Sequence, residues 1–169
     1  MGFIRKRWLI LISVLVIVCS VIIYYQRTYF FNPITFRNNN VLYLPYKWYK
    51  KPLQVQVVEI NLNNSTAIRY TTFDPNQVRF VVGELEKGTI VQQPKYSQNE
   101  TAIVHISMRS GSQVDSTILQ DAMIQKPNFS NVAQIYTQVP GHAFPQYITL
   151  TPELQKWVSD VLKRGERVR

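Results

Sequence analysis

The sequence predicts an α+β chain in two parts. A single transmembrane helix comes first, followed by a small domain with an antiparallel sheet of four to six strands and two helices. Three observations lead there. The run from Trp8 to Tyr25 contains no charge, proline or glycine. Between residues 53 and 150, apolar and polar residues alternate in short stretches, as they do in half-buried strands. Around residues 74–88 and 151–165, helix start and stop signals bracket apolar stripes of helical spacing.

The apolar run is Trp8, Leu9, Ile10, Leu11, Ile12, Ser13, Val14, Leu15, Val16, Ile17, Val18, Cys19, Ser20, Val21, Ile22, Ile23, Tyr24 and Tyr25. As a helix it extends roughly 27 Å, close to the roughly 30 Å hydrocarbon core of a bilayer. Trp8 at one end and Tyr24 and Tyr25 at the other suit the two membrane interfaces. The run is longer than the roughly 7–15 apolar residues of a cleaved leader, and no small-residue cleavage site follows it. A lipoprotein site at Cys19 would have Val18 before it, where a small residue belongs. The expectation is therefore an uncleaved anchor.

Arg5, Lys6 and Arg7 fill the short tail ahead of the run. By the positive-inside rule they set the topology, with the amino terminus cytoplasmic and the carboxy-terminal domain outside. The expected divisions are a cytoplasmic basic tail (1–7), the membrane helix (8–25), an aromatic and basic juxtamembrane linker (26–52) and an extracytoplasmic domain (53–169).

Charge location decides what the net +9 means. Residues 1–51 carry eight Lys or Arg and no acid, while the remainder is near neutral with eleven basic and ten acidic residues. A nucleic-acid-binding domain needs its positive charge on the folded surface, so nucleic acid is not an expected partner. Cys19 is the only cysteine. It lies inside the apolar run, which excludes an intrachain disulfide and any extracytoplasmic cysteine nucleophile.

Residues 24–49 hold ten of the 21 aromatic side chains. They alternate with Arg27, Arg37, Lys47, Lys50 and Lys51, with Pro33, Pro45 and Pro52 interrupting any long helix. The aromatics are expected at headgroup level or packed beneath the domain, and the five basic residues are candidate contacts to an anionic lipid or polymer surface.

Within the domain, Leu53, Val55 and Val57 alternate in one phase and Val58, Ile60 and Leu62 in the other. That pattern predicts a strand with a bulge, or one buried on both faces. Asn63-Asn64 marks a turn into a strand over Ala67–Phe73. Asp74 should cap the next helix, with Pro75 first and Gln77 completing a capping box. Val78, Val81, Val82 and Leu85 form its apolar face, Glu84 and Glu86 read as surface acids, and Gly88 as its stop.

Ala102, Val104, Ile106 and Met108 are assigned to one face of a strand, and Thr101, His105, Ser107 and Arg109 to the other. Ser110-Gly111-Ser112 turns it toward Val114–Gln120. Ala133, Ile135, Thr137 and Val139 predict another strand, and Tyr147–Leu150 a short last one. The final helix has Thr151 as cap, then Pro152 and Glu153. Leu154, Trp157, Val158, Val161 and Leu162 make its stripe, and Lys163, Arg164 and Gly165 end it.

No motif for catalysis, a cofactor or a metal is present. Ser110-Gly111-Ser112 is not a nucleophile elbow, and His105 and His142 have no metal-ligand spacing. The sequons at Asn63, Asn64, Asn99 and Asn128 mark exposed loops only in a eukaryotic secretory route. The expected role is a non-enzymatic binding module of the cell envelope. Its partners would be the lipid bilayer and a protein or anionic envelope polymer. The alternatives are a hydrolase built on His105 or His142, or an accessory subunit of a larger membrane complex.

Overall fold

Among the residues it describes (2–32, 49–94, 100–112, 115–126, 131–136 and 146–168), the computed structural model contains three helices and one antiparallel sheet. The helices are α1 (Gly2–Thr28), α2 (Pro75–Glu86) and α3 (Pro152–Arg164). The strands are β1 (Leu53–Asn61), β2 (Thr66–Thr72), β3 (Ile90–Val91), β4 (Ala102–Gly111), β5 (Ser116–Lys126), β6 (Val132–Tyr136), β7 (Gln146–Thr149) and β8 (Glu166–Val168). Their spatial order is β3-β7-β6-β5-β4-β1-β2-β8.

The fold class is α+β, with two helices after the first. The sheet, however, has eight strands rather than four to six. Both strands absent from the sequence expectation, β3 and β8, are edge strands of two and three residues. Neither is long enough to show a period of two.

α1 contains the whole apolar run and extends beyond it at both ends. Its stretch Arg7–Thr28 has a mean hydropathy of 2.7, is long and apolar enough to cross a membrane, and has no residue buried in the protein. Such a helix is compatible with a single-pass anchor. Ser13 and Ser20 donate to the carbonyls of Leu9 and Val16, so their hydroxyls are satisfied within the helix.

In the domain, both helices begin where the sequence places them, but the first is capped differently. Asp74 accepts from the Asn76 N–H at 2.9 Å. The expected capping box does not form. The Asp74 N–H donates to Thr72 Oγ1, and Gln77 Oε1 instead accepts from the Tyr70 hydroxyl at 3.0 Å. Gly88 is required by crowding: a Cβ there would meet the Thr149 carbonyl oxygen at 2.6 Å.

Glu84 is not a surface acid. It is buried, accepting from Lys87 Nζ and from the hydroxyl of Thr151 at 2.6 Å each. The bond from Lys87, then that from Thr151, holds its carboxyl below the usual range. Because Thr151 also caps α3 by accepting from the Leu154 N–H, Glu84 ties the end of one helix to the start of the other.

β1 runs unbroken in register with β2 and β4, so of the two readings of its phase change the bulge is not there, and Val58 and Ile60 fall on the face opposite Val55 and Val57. It lies between β4 and β5: Met108 faces Gln120, Arg109 faces Ile118, and Leu119 is the extra residue. β5 also continues to Lys126, well past the expected end at Gln120. For the next strand, the described residues end at Tyr136, so Thr137 and Val139 lie outside them.

α2 and α3 cover one face of the sheet. Val55, Val57, Val104, Ile106, Met108, Ala122, Ile124, Ala133, Ile135 and Ile148 line that face. They pack with Val78, Val81, Val82 and Leu85 of α2 and Leu154, Val158, Val161 and Leu162 of α3. Full burial of each Val, Leu, Ile or Met among them contributes about 1.5–3 kcal/mol. The same core takes in Phe30 and Tyr49 from the segment expected as a linker.

Candidate functional site

The polar chemistry of the domain gathers on the face of the sheet turned away from the helices. Alternation puts Gln54 and Gln56 of β1, His105, Ser107 and Arg109 of β4, and Asp121 of β5 on that face. The register brings Ser107 directly opposite both Gln56 and Asp121.

Asp121 is the centre of a clamp across two strands. Ser107 Oγ donates to Asp121 Oδ1 at 2.8 Å, and His105 Nδ1 lies 2.8 Å from Asp121 Oδ2. The bond to Asp121 raises the His105 pKa above its ordinary value, against an opposing contribution from burial. Ser107 is buried. In an acyl-transfer triad the histidine stands between serine and carboxylate and takes the serine's proton. Here the carboxylate stands between the other two, and the serine's proton points at the acid.

A second chain of bonds runs beside the clamp. Arg109 Nη1 donates to Gln56 Oε1 at 2.7 Å, and Gln56 Nε2 donates to Thr71 Oγ1 at 3.4 Å. The Arg109 Nε is buried without a hydrogen-bond partner, and Arg109 has no ion pair among the described residues. Gln54, also buried, donates to the Ser112 carbonyl at 3.3 Å.

This row opens toward the β8 edge into a cleft of about 490 Å³. Gln54, Gln56, Arg69, Thr71, Ser116, Arg164 and Glu166 line it with amides, hydroxyls and charges. Arg164, at the end of α3, stacks its guanidinium 5.9 Å from the centre of the Tyr70 ring, which also borders the cleft. Arg69 and Glu166 face each other in the β2–β8 register, with no ion pair joining them. Two exposed guanidiniums beside neutral donors and acceptors suit an anionic ligand carrying hydroxyl groups.

The second notable feature is the junction between α1 and the sheet. Tyr29 and Lys50 form an antiparallel bridge. The Phe30 N–H donates to the Tyr49 carbonyl at 2.9 Å, and the Lys51 N–H to the Thr28 carbonyl at 3.0 Å. Lys51 Nζ donates to the Gln26 carbonyl at 2.8 Å, neutralising the negative end of α1. On the domain side, Ser110 Oγ donates to the Lys50 carbonyl and the Gly111 N–H to that of Pro52.

The residues singled out from sequence are distributed as follows. The anchor residues Trp8–Tyr25 all lie in α1, as do Arg5, Lys6, Arg7 and Arg27. Lys50 and Lys51 come together with the last turn of α1, while Arg37 and Lys47 lie outside the described residues. His105 occupies the polar face expected of it; His142 lies outside the described residues.

Asp121, Gln56 and Arg69 are not among the residues the sequence points to, and Arg164 is there only as a charge at the end of the last helix. Asp121 did have a signal, being a lone acid at polar parity between Gln120 and the Ala122-Met123-Ile124 stretch. The others are ordinary surface polar residues until the sheet assembles. Among the described residues, no three His, Cys, Asp or Glu side chains gather where they could hold a metal ion. No family model, curated protein or solved structure matches the chain.

Proposed function

We propose that this chain is a membrane-anchored binding module of the cell envelope. α1 crosses the membrane with the amino terminus cytoplasmic, and the domain stands outside. The polar cleft at the β8 edge takes an anionic, hydroxyl-rich segment of an envelope polymer. The observation that carries the binding reading is the cleft itself, with Arg69 and Arg164 exposed among amide and hydroxyl groups. A polyanion gains charge-assisted hydrogen bonds there without first breaking an ion pair.

An anchor retained in the mature protein, rather than a leader removed from it, is supported by the junction. Lys51 uses Gln26 and Thr28 of α1 as partners, and Phe30, two residues past the helix, is part of the domain core. Outside location is supported by Arg5, Lys6 and Arg7. Tethering confines the cleft to a layer at the membrane surface and raises its effective concentration toward a neighbouring polymer.

Binding is tested by titrating the full chain, in detergent micelles, with a glycerol-phosphate polymer and with a neutral glycan of similar length. Saturable binding of the polyanion, weakened about tenfold by Arg69→Ala with Arg164→Ala, supports the reading. Equal binding of both polymers, or none, refutes it. Cross-linking in intact cells then asks whether a protein occupies the cleft instead. Outside location is tested with Ser112→Cys in a Cys19→Ala background. An impermeant maleimide should label intact cells, and labelling only after lysis would reverse the topology.

A further inference from the structure

We infer that the junction between α1 and the domain holds an anionic phospholipid of the outer leaflet. Its phosphate would lie among the basic residues at the helix exit, and its glycerol and upper acyl chain in the adjoining apolar groove. This rests on the reading of α1 as a membrane anchor.

The groove measures about 410 Å³ and is lined by Phe30, Lys51, Pro52, Leu53, Phe73 and Pro75. Its depth relative to the bilayer follows from the helix. Tyr25 ends the apolar run, and Lys51 in the groove wall bonds to the carbonyls of Gln26 and Thr28, at most about 5 Å further along the helix axis. The headgroup layer on each side of a bilayer is roughly 5–8 Å deep. The groove therefore opens at the level of the lipid headgroups rather than in bulk water.

Its chemistry matches that level. Phe73 sits in the connection between β2 and α2 with 40 % of its surface exposed, and with Phe30, Pro52, Leu53 and Pro75 it forms one apolar wall. Around this apolar wall stand cations. Lys51 lines the groove, Arg79 holds its guanidinium 4.8 Å from the centre of the Phe30 ring, and Lys50 and Arg27 flank the helix exit. Asp74, beside Pro75 in sequence, is occupied with capping α2. An acyl chain explains the exposed Phe73 beside Pro52 and Pro75, and the phosphate explains the basic residues beside it. A zwitterionic lipid brings the same phosphate with a compensating cation, so its headgroup is attracted to these residues more weakly than that of an anionic lipid.

The test reconstitutes the full chain into vesicles of phosphatidylcholine and phosphatidylglycerol in equal parts. In separate samples, one lipid or the other carries a photoactivatable group high on its acyl chain. Cross-linked peptides are then mapped. The expected result is labelling of the peptide containing Phe73 and Pro75, favouring phosphatidylglycerol over phosphatidylcholine. Arg79→Gln, an exposed change outside the core, should lower that preference about fivefold, the worth of one basic residue at an anionic surface. Phe73→Ser should reduce labelling of the groove by both lipids and leave labelling of α1 unchanged. Equal labelling by the two lipids, or labelling confined to α1, overturns the groove. Absence of lipid labelling on α1 as well overturns the anchor reading beneath it, so the two failures are distinguishable.

Discussion

Along β4, Val104, Ile106 and Met108 turn toward the helices while His105, Ser107 and Arg109 turn away. The two sets belong to one strand, one residue out of phase, and they meet different physics. On the helix side, side chains are interchangeable within limits of volume, because dispersion and water exclusion have little directional preference. On the other side, Asp121 serves Ser107 and His105 at once, and Arg109 reaches Thr71 through Gln56. There each group needs one particular partner at one particular place. The first face gives the sheet its stability, and the second gives it a surface of directional polar groups.

The largest effect is expected on the helix side. Ile106→Ala removes a side chain that is 1 % exposed and should cost about 2–5 kcal/mol. Urea unfolding of the full chain in micelles, followed by backbone circular dichroism, measures it. A loss under about 1 kcal/mol would mean the covered face is not the main source of stability.

On the polar face, Asp121→Ala strands Ser107 and His105 together and should cost about 2 kcal/mol, whereas Asp121→Asn, which keeps an acceptor, should cost less. If both substitutions cost the same, the hydrogen bonds of the clamp are not what matters. Outside the comparison, Gly83 is a control. It lies inside α2, and a Cβ there would meet nothing within 4 Å. Gly83→Ala should therefore stabilise by about 0.5–1 kcal/mol. A loss instead would mean that the space beside α2 is occupied in the folded protein.

The smallest effect is read as a slope with pH. The folded pKa of His105 lies above its ordinary 6.5, so the folded chain holds that proton more tightly than the unfolded chain does. Its contribution to stability is complete below 6.5 and is lost as pH rises through the raised value. With 30 % of the side chain exposed, solvent screening keeps the effect modest. Asp121→Asn should flatten the slope. A slope that survives Asp121→Asn would have to come from another group. At the acid end the sign reverses. The lowered Glu84 carboxyl contributes stability above its ordinary 4.5, lost as pH falls through the folded value, and Glu84→Gln should remove that part of the acid sensitivity.

Much of this fold is legible in the sequence where a residue's neighbours in the chain are also its neighbours in space. The eighteen-residue uncharged run of α1, the Asp74-Pro75 and Thr151-Pro152 starts, the Asn63-Asn64 turn and the two-faced pattern of β4 all work within a few residues. Helix capping, strand alternation and the demand of lipid for internal backbone bonding are local rules.

What the tertiary structure alone decided involves residues far apart. β3 and β8 are too short to show a pattern and exist because β7 and β2 offer them an edge. Gln77 left its capping box because Tyr70 competed for it, and Glu84 became buried because Thr151, 67 residues on, supplied a partner. β1 changes hydrophobic phase without a bulge, and β5 carries one, because pairing, not hydrophobic phase, sets where an extra residue falls. The cleft combines Gln54, Thr71, Ser116 and Arg164, which share no spacing. Local free energies choose helix or strand. A binding surface is set by which strands lie side by side, and that is decided by the packing of the whole domain.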